Sequence, residues 1–362
     1  MKTAEEAPRS VHPHRAAKGM RVMVISPIFG GSYPIAQHSH EALTRLGCSS
    51  DFVDLTHHRE RYQEVRDKGE GALTAQQNFY NHIQEELLQR CDSFQPNLIL
   101  ALILAPLPES FLAQMRSSGV TTAYWFVDND KRFPFWKRQA KWYDFYFMIQ
   151  NDHVISRVKK AGGRSVHYLP NACPENIAKN LSVPEHQRAH FGSDVCFMGT
   201  PCPNRVTQFS QLQDLNLGLW GKGWDQYATQ FPTSIREGSR LITAGEEARI
   251  YASSKIVLNL HTDLGSEEHD AADFINPRTF VAAGCGTLQL VDKRSLMSEH
   301  FHIGDEVIEF DSTADLKNKL IYFLNHPEER LAIAAKARKR VLKEHTYEDR
   351  MNQVLAWVTT KD

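Results

Sequence analysis

Short apolar, β-branched runs that end in a glycine- or acid-bearing turn and pass into a helix-spaced pattern recur along this chain in two series. The first series opens with Arg21–Pro27, turns at Phe29-Gly30-Gly31-Ser32 and enters a helical pattern over Ile35–Leu46. Its further predicted strands are Phe52–Leu55, Leu98–Leu104, Thr122–Val127, Phe145–Gln150 and Val166–Leu169, with helices over Leu73–Cys91, Glu109–Ser117 and His153–Ala161. A polar stretch containing Pro174 and Pro184 then runs to Gly192 and reads as a linker. At Asp194–Met198 the pattern restarts, with strands over Leu217–Trp220, Ile256–Leu260, Thr287–Val291 and Val307–Phe310. Helices are predicted over Val206–Leu212, Glu246–Ser253, Asn276–Ala283, Arg294–His300, Ala314–Leu324, Pro327–Leu342 and Glu348–Val358. Apolar strands alternating with helices are satisfied by parallel sheets covered on both faces, so the expected class is α/β: two Rossmann-like, doubly wound domains facing across a cleft.

The 362 residues, 41% hydrophobic and 23% charged, suffice for two cores of ordinary size. A formal net charge of -1 argues against a nucleic-acid surface, which would carry a basic excess. Six scattered cysteines without C-x-x-C spacing fit a reducing compartment, and a cytoplasmic protein is expected. Residues 1–19 lack an apolar core and read as a disordered tail. The longest apolar run, Leu98–Leu107, is far short of the ~18 residues of a membrane span. The G-x-G-x-x-G fingerprint is missing after the first strand, which weakens a dinucleotide-dependent oxidoreductase reading, and no cofactor is expected.

The densest chemical signal lies between Asp273 and Asp292, D-F-I-N-P-R-T-F-V-A-A-G-C-G-T-L-Q-L-V-D. Asn276 is a predicted N-cap and Pro277 takes the first helical position, where no N–H is needed; Gly284 and Gly286 stop the helix. A helix start flanked by Arg278 and Thr279 is built to hold a phosphate or diphosphate, the alternative being a surface ion pair of Arg278 with glycines that serve packing. Two other loops repeat the theme. Gly199-Thr200-Pro201-Cys202-Pro203-Asn204-Arg205 is a glycine turn before a helix, with Arg205 as a counter-charge for phosphate. Gly221-Lys222-Gly223-Trp224 is either a loop that admits a ligand and stacks it on Trp224 or a tight turn with a core tryptophan. In the first series a predicted strand delivers Asp128-Asn129-Asp130, a base or sugar-hydroxyl ligand on one reading and a capping turn on the other. His261, Asp263, Glu267, Glu268 and His269 lie in a polar loop without metal-ligand spacing, so no metal site is expected.

The segment R-T-F-V-A-A-G-C-G-T-L-Q-L-V-D resembles the donor-site segment of the CgeB-like (spore-maturation type) glycosyltransferases, which are two-domain GT-B enzymes. Trp125-Phe126-Val127-Asp128, the strand end Leu169-Pro170-Asn171-Ala172, the G-K-G-W loop and His345-Thr346-Tyr347-Glu348-Asp349-Arg350 resemble further elements of that group. The resemblance implies an acceptor domain over residues 20–172, joined by a returning helix over 346–362, and a nucleotide-sugar donor domain over 173–345. It implies transfer of a sugar from a nucleotide-diphosphate donor to a hydroxyl of a protein, glycan or small molecule; Arg278, Arg205 and the Asn276 helix start would stabilise the departing diphosphate, so no metal is expected. Asp273 would contact the donor sugar. Gly199, Thr200, Arg205, Gly221, Gly223, Trp224, Asn276, Pro277, Arg278 and Thr279 would hold the donor. Asp128 or Asp130, with His38 and His40 behind them, would activate or position the acceptor. In the resembled retaining enzymes a second acid, separated from the first by seven intervening residues, holds the ribose; here that position is Val281. The alternative is therefore a GT-B-shaped binding or scaffold subunit that has lost turnover.

Overall fold

The computed structural model describes residues 19–67, 72–151, 153–262 and 274–360; the expected N-terminal tail lies almost wholly outside them. The chain divides into two compact units, Met1–Pro170 together with Tyr347–Asp362, and Asn171–Thr346.

In the first unit the elements are β1 (Arg21–Ile25), α1 (Tyr33–Arg45), β2 (Ser49–Val53), a 3-10 turn at Thr56–His58, α2 (Arg59–Asp67), α3 (Ala72–Phe94), β3 (Leu98–Leu102), α4 (Glu109–Ser117), β4 (Thr121–Phe126), α5 (Trp136–Gln139), β5 (Phe145–Met148), α6 (His153–Lys160) and β6 (Ser165–Tyr168). The second unit contains α7 (Glu175–Asn180), α8 (Glu185–Phe191), β7 (Val195–Met198), α9 (Pro203–Phe209), β8 (Leu217–Trp220), α10 (Ala244–Ser253), β9 (Ile256–Asn259), α11 (Pro277–Gly284), β10 (Leu288–Asp292), α12 (Met297–His300), β11 (Ile308–Phe310), α13 (Thr313–Asn325) and α14 (Pro327–Glu344). The final helix, α15 (Tyr347–Thr359), belongs to the first unit.

Each unit is built on one parallel sheet, in the order β2-β1-β3-β4-β5-β6 and β11-β10-β9-β7-β8. The central strands are apolar on both faces because helices cover both: Val22–Ile25 and Leu98–Leu102 have no exposed surface. In the first unit Trp125 donates its indole N–H to the Leu169 carbonyl (3.0 Å), and α15 seats Tyr347 beside it, ring centroids 6.3 Å apart. Arg350 on the same helix is fully buried and donates Nε–H to the Pro170 carbonyl at 2.9 Å. The second core gathers Phe197, Phe209, Trp224 and Phe231 at one end of its sheet and Leu288, Leu290, Leu316 and Leu320 at the other. All six cysteines are free, and among the described residues no helix is long and apolar enough to cross a membrane.

Two local expectations are corrected. The stretch read as a linker is helical over Glu175–Asn180 and Glu185–Phe191, and both helices pack within the second unit, α8 on α10 and α7 on α14. Pro174 and Pro184, taken as linker signals, stand immediately before glutamates that begin these helices, where an acid is favoured by the helix dipole. The second strand runs over Ser49–Val53 instead of starting at Phe52, because an edge strand needs only a partly apolar face.

The α11 helix can lie close to its neighbours because of Gly284: a Cβ there would overlap Cys173 Sγ and touch Val341 Cγ1 at 3.6 Å. Alanine normally improves a helix, but here Gly284→Ala is expected to lower stability by roughly 1–3 kcal/mol through overpacking. Chemical denaturation in wild-type and Cys173→Ala backgrounds checks it, with a smaller penalty expected where the sulfur is gone.

Candidate active site

The second sheet changes direction between β7 and β9, since β7 leads through α9 to β8 on one side while β9 returns on the other. In open α/β sheets the crevice at such a point, at the carboxyl ends of the strands, is where ligands bind. Three elements meet there: the loop after β7, the loop after β8 and the start of α11.

Glycine makes the approach of the two loops possible. Gly199 has φ +150°, and a Cβ there would lie 3.0 Å from the Phe197 ring and 3.1 Å from Arg278 Nη2. At Gly221, with φ +115°, a Cβ would be 2.8 Å from the Gly199 carbonyl oxygen. Both positions combine a backbone that disfavours side chains with no room for one.

Asn259, at the end of β9, organises the α11 start. Its Oδ1 accepts from Arg278 Nη1 (2.9 Å) and Asn276 Nδ2 (2.8 Å); its Nδ2 donates to Thr279 Oγ1 (2.7 Å) and Gln289 Oε1 (3.2 Å). Asn276 caps the helix, its Oδ1 accepting from the Thr279 N–H at 3.2 Å. Behind the cap, His261 is buried and donates from Nδ1 to Asp292 Oδ1 (2.7 Å), while its Nε2 accepts from the Asn276 N–H (3.2 Å). That accepted bond requires a neutral ring, and burial, with Arg294 and Arg278 assisting against Asp292, lowers the imidazole from its ordinary value. Burial would raise the Asp292 carboxyl, but His261 and Arg294 outweigh it and hold it well below the usual range.

Arg278 is half-buried, and its guanidinium lies 5.0 Å from the centroid of Phe197, over whose ring Arg205 also sits at 5.0 Å. Burial, and then the Arg278 charge, pulls Arg205 down to about 10, which leaves it protonated at neutral pH. Among the described residues no carboxylate lies within ion-pair distance of either guanidinium. The result is a concentrated positive field with Arg278 as its accessible member.

Several candidate ligands turn out to be framework. Arg205 is buried, with Nε and Nη2 on the Leu260 carbonyl (3.1 and 2.8 Å), Nη1 on the Thr200 carbonyl (2.8 Å) and Nη2 on Thr262 Oγ1 (3.1 Å). Its donors are spent on two backbone carbonyls and the Thr262 hydroxyl, so it contributes charge but no free fork. Trp224 has no exposed surface and donates its indole N–H to the Gly199 carbonyl at 2.7 Å, so it is the core tryptophan of a tight turn and not a stacking face. Gly223 has φ +97° at the start of that turn. Thr279 is buried in the Asn259 network, Pro277 and Thr200 are exposed, and Asp273 lies outside the described residues. Asn259 and Asp292 were not singled out from the sequence, although each is a polar residue ending an apolar strand, which is the signal that marks them.

In the first unit Asp130 is buried and committed, pairing with Arg157 (2.6 Å) and meeting the Gln150 amide at 3.3 Å, so its carboxylate is structural. Asp128 is half-buried beside Arg132 (3.3 Å), and burial raises its carboxyl against that charge, as suits a base. His38 packs on Tyr347 with ring centroids 5.3 Å apart and lies 3.6 Å from Glu41; His40 bonds Ser50 Oγ at 2.8 Å. None of these contacts joins either histidine to the two aspartates.

Because the native His261 value is lowered, its stabilising contribution is complete above the ordinary value near pH 6.5 and is lost as the pH falls, when the unfolded ring takes a proton that the folded ring refuses. Urea titrations at pH 7.5 and 5.5 should show wild type losing stability relative to His261→Gln, by up to about 1.4 kcal/mol per pH unit. Parallel losses in the two proteins would contradict the neutral-ring assignment.

Residues 205–356 match the family described as glycosyl transferase-like. The spore protein CgeB of Bacillus subtilis (strain 168) is 23% identical over 277 residues, spanning 74% of this chain and 84% of that protein. Among solved structures, a glycosyltransferase from Rickettsia africae ESF-5 superposes with a TM-score of 0.65 at 11% identity, over 95% of this chain and all of that one (100%). Anabaena Alr3699/HepE in complex with UDP and glucose superposes with a TM-score of 0.60 at 12% identity, over 94% of this chain and 100% of that one. The fold is thus the two-domain α/β GT-B type, and over its second half the chain is similar to glycosyl transferase-like proteins, CgeB among its relatives.

Proposed function

We propose that the protein transfers a sugar from a nucleotide-diphosphate donor, held by the second unit, to an acceptor hydroxyl. The observation that carries this reading is Arg278, fixed at the sheet's switch point by a neutral amide, with the Arg205 charge beside it and, among the described residues, no carboxylate in ion-pair distance of either. A preset positive field is suited to the charge that builds on a departing diphosphate, and it does so without reorganisation during the reaction. In this reading the two guanidiniums supply the charge that a divalent ion supplies elsewhere, so transfer needs no metal. Asp128 is the base that takes the acceptor proton, and the protein is expected to work in the cytoplasm.

The ribose contact is assigned to Glu247. Val281 is buried in α11, and a turn further on Cys285 Sγ lies 3.6 Å from the Ala248 carbonyl of α10, so this face of α11 is turned to α10. Glu247 on α10 accepts from Tyr251 Oη at 2.9 Å. Burial raises its carboxyl, with Tyr251 and the Arg278 charge opposing. A carboxyl delivered from the neighbouring helix replaces the acid missing at position 281 and removes the motive for a scaffold reading.

UDP, the nucleotide named with Alr3699/HepE, is the first probe. By calorimetry Arg278→Ala should weaken UDP binding by roughly 1.5–3 kcal/mol and leave uridine unchanged, because its contact is to phosphate. Equal losses would place Arg278 away from the diphosphate. Wild type should prefer UDP to its 2′-deoxy analogue, and Glu247→Ala should shrink that preference by roughly 1 kcal/mol; an unchanged preference removes Glu247 from the ribose site.

A further inference from the structure

The first unit carries a cluster of metal-type ligands that the proposed reaction does not use. After β2 the chain makes one 3-10 turn, Thr56–His58, which places two histidines side by side with ring centroids 3.9 Å apart. Facing them is Glu86 of α3: His58 Nε2 lies 2.6 Å from Glu86 Oε2, and His57 Nε2 lies 3.7 Å from Glu86 Oε1. One ligand atom from each of the three falls within 4.8 Å of the others. His82, one helical turn before Glu86 on α3, brings its ring centroid to 5.4 Å from that of His58.

The chemistry of this set is specific. Ligands around a tetrahedral zinc, each about 2.0–2.1 Å from the metal, stand about 3.3 Å from one another, and the two histidine–Glu86 separations, 2.6 and 3.7 Å, bracket that value. Imidazole nitrogens with one carboxylate suit zinc and its late first-row neighbours, whereas calcium and magnesium call for oxygen alone. The site also has an inside and an outside: His58 is buried edge-on to Phe79 with centroids 6.2 Å apart, while His57 is exposed, which leaves an entry path. Along the same helix Arg90 holds Asp51 of β2 at 2.6 Å, so His82, Glu86 and Arg90 form one row turned toward β2 and its following turn.

We propose that His57, His58 and Glu86, completed by His82, bind a divalent transition-metal ion, zinc by donor type, which clips the turn after β2 to α3. The ion is structural in this proposal, and it is independent of the donor reading in the second unit.

The test uses the full-length protein freed of metal by a chelator and dialysed. Zinc is titrated in competition with a chromogenic chelator, cobalt(II) reports geometry through its visible bands, and thermal denaturation is followed with and without zinc. One equivalent of zinc, tetrahedral cobalt bands and a raised melting temperature are expected, with affinity down tenfold or more in His57→Ala and Glu86→Gln. His57→Ala removes an exposed side chain and so separates ligation from packing; circular dichroism verifies that both variants fold. Failure of the wild type to take up zinc overturns the proposal, and so does equal affinity in wild type and variants, which would place the ion on other histidines.

Discussion

One buried carboxamide organises the candidate site of the second unit. Asn259 uses both acceptor positions of its oxygen and both hydrogens of its nitrogen, on Arg278, Asn276, Thr279 and Gln289. Removing any one partner would strand a buried polar group at a cost of about 1–3 kcal/mol, so the cap, the first helical turn and the guanidinium are positioned together. Gln289 closes the loop by donating to the Thr279 carbonyl at 2.9 Å, which ties β9, β10 and the start of α11 into a unit. The carboxamide is neutral, so it orients Arg278 without cancelling its charge.

Keeping that charge available requires the local acids to be engaged elsewhere. Asp292 is turned away to His261 and Arg294, and the neutral His261 ring passes structural order from Asp292 to the Asn276 N–H without adding a charge. Phe197 carries both Arg205 and Arg278 over its ring, a low-polarity support on which two cations sit near each other. Bringing like charges together costs free energy, which the departing diphosphate of the proposed reaction would offset.

Much of the architecture was legible beforehand. Strand Leu217–Trp220 and helix Glu109–Ser117 fall where their periodicity puts them, and α11 begins directly after Asn276 at Pro277. Helix α2 was missed because it buries a single residue, Val65, and so shows no apolar stripe. Helices α7 and α8 were missed because a short polar segment after proline looks the same whether it is a linker or a helix docked on a neighbour. At the site, Arg205 was read as a counter-charge for phosphate and Trp224 as either a stacking face or the core of a tight turn; both side chains donate to carbonyls of the loops they pin together, which settles Trp224 as core.

The sequence by itself determined the two series of strand and helix, the glycines where loops must touch and the Asn-Pro-Arg helix start, because periodicity, backbone freedom and capping act over a few neighbouring residues. Only the tertiary structure decided which polar groups are left for a ligand. Arg205 finds its carbonyl 55 positions away at Leu260, Asn259 reaches Gln289 across 30 positions, and Trp224 meets Gly199 across 25. Hydrogen-bond capacity is spent across space, and a chain written in one dimension does not show who spends it. The same reason hid the partnership of His57 and His58 with Glu86, 28 positions on from His58, until α3 was laid against the turn after β2.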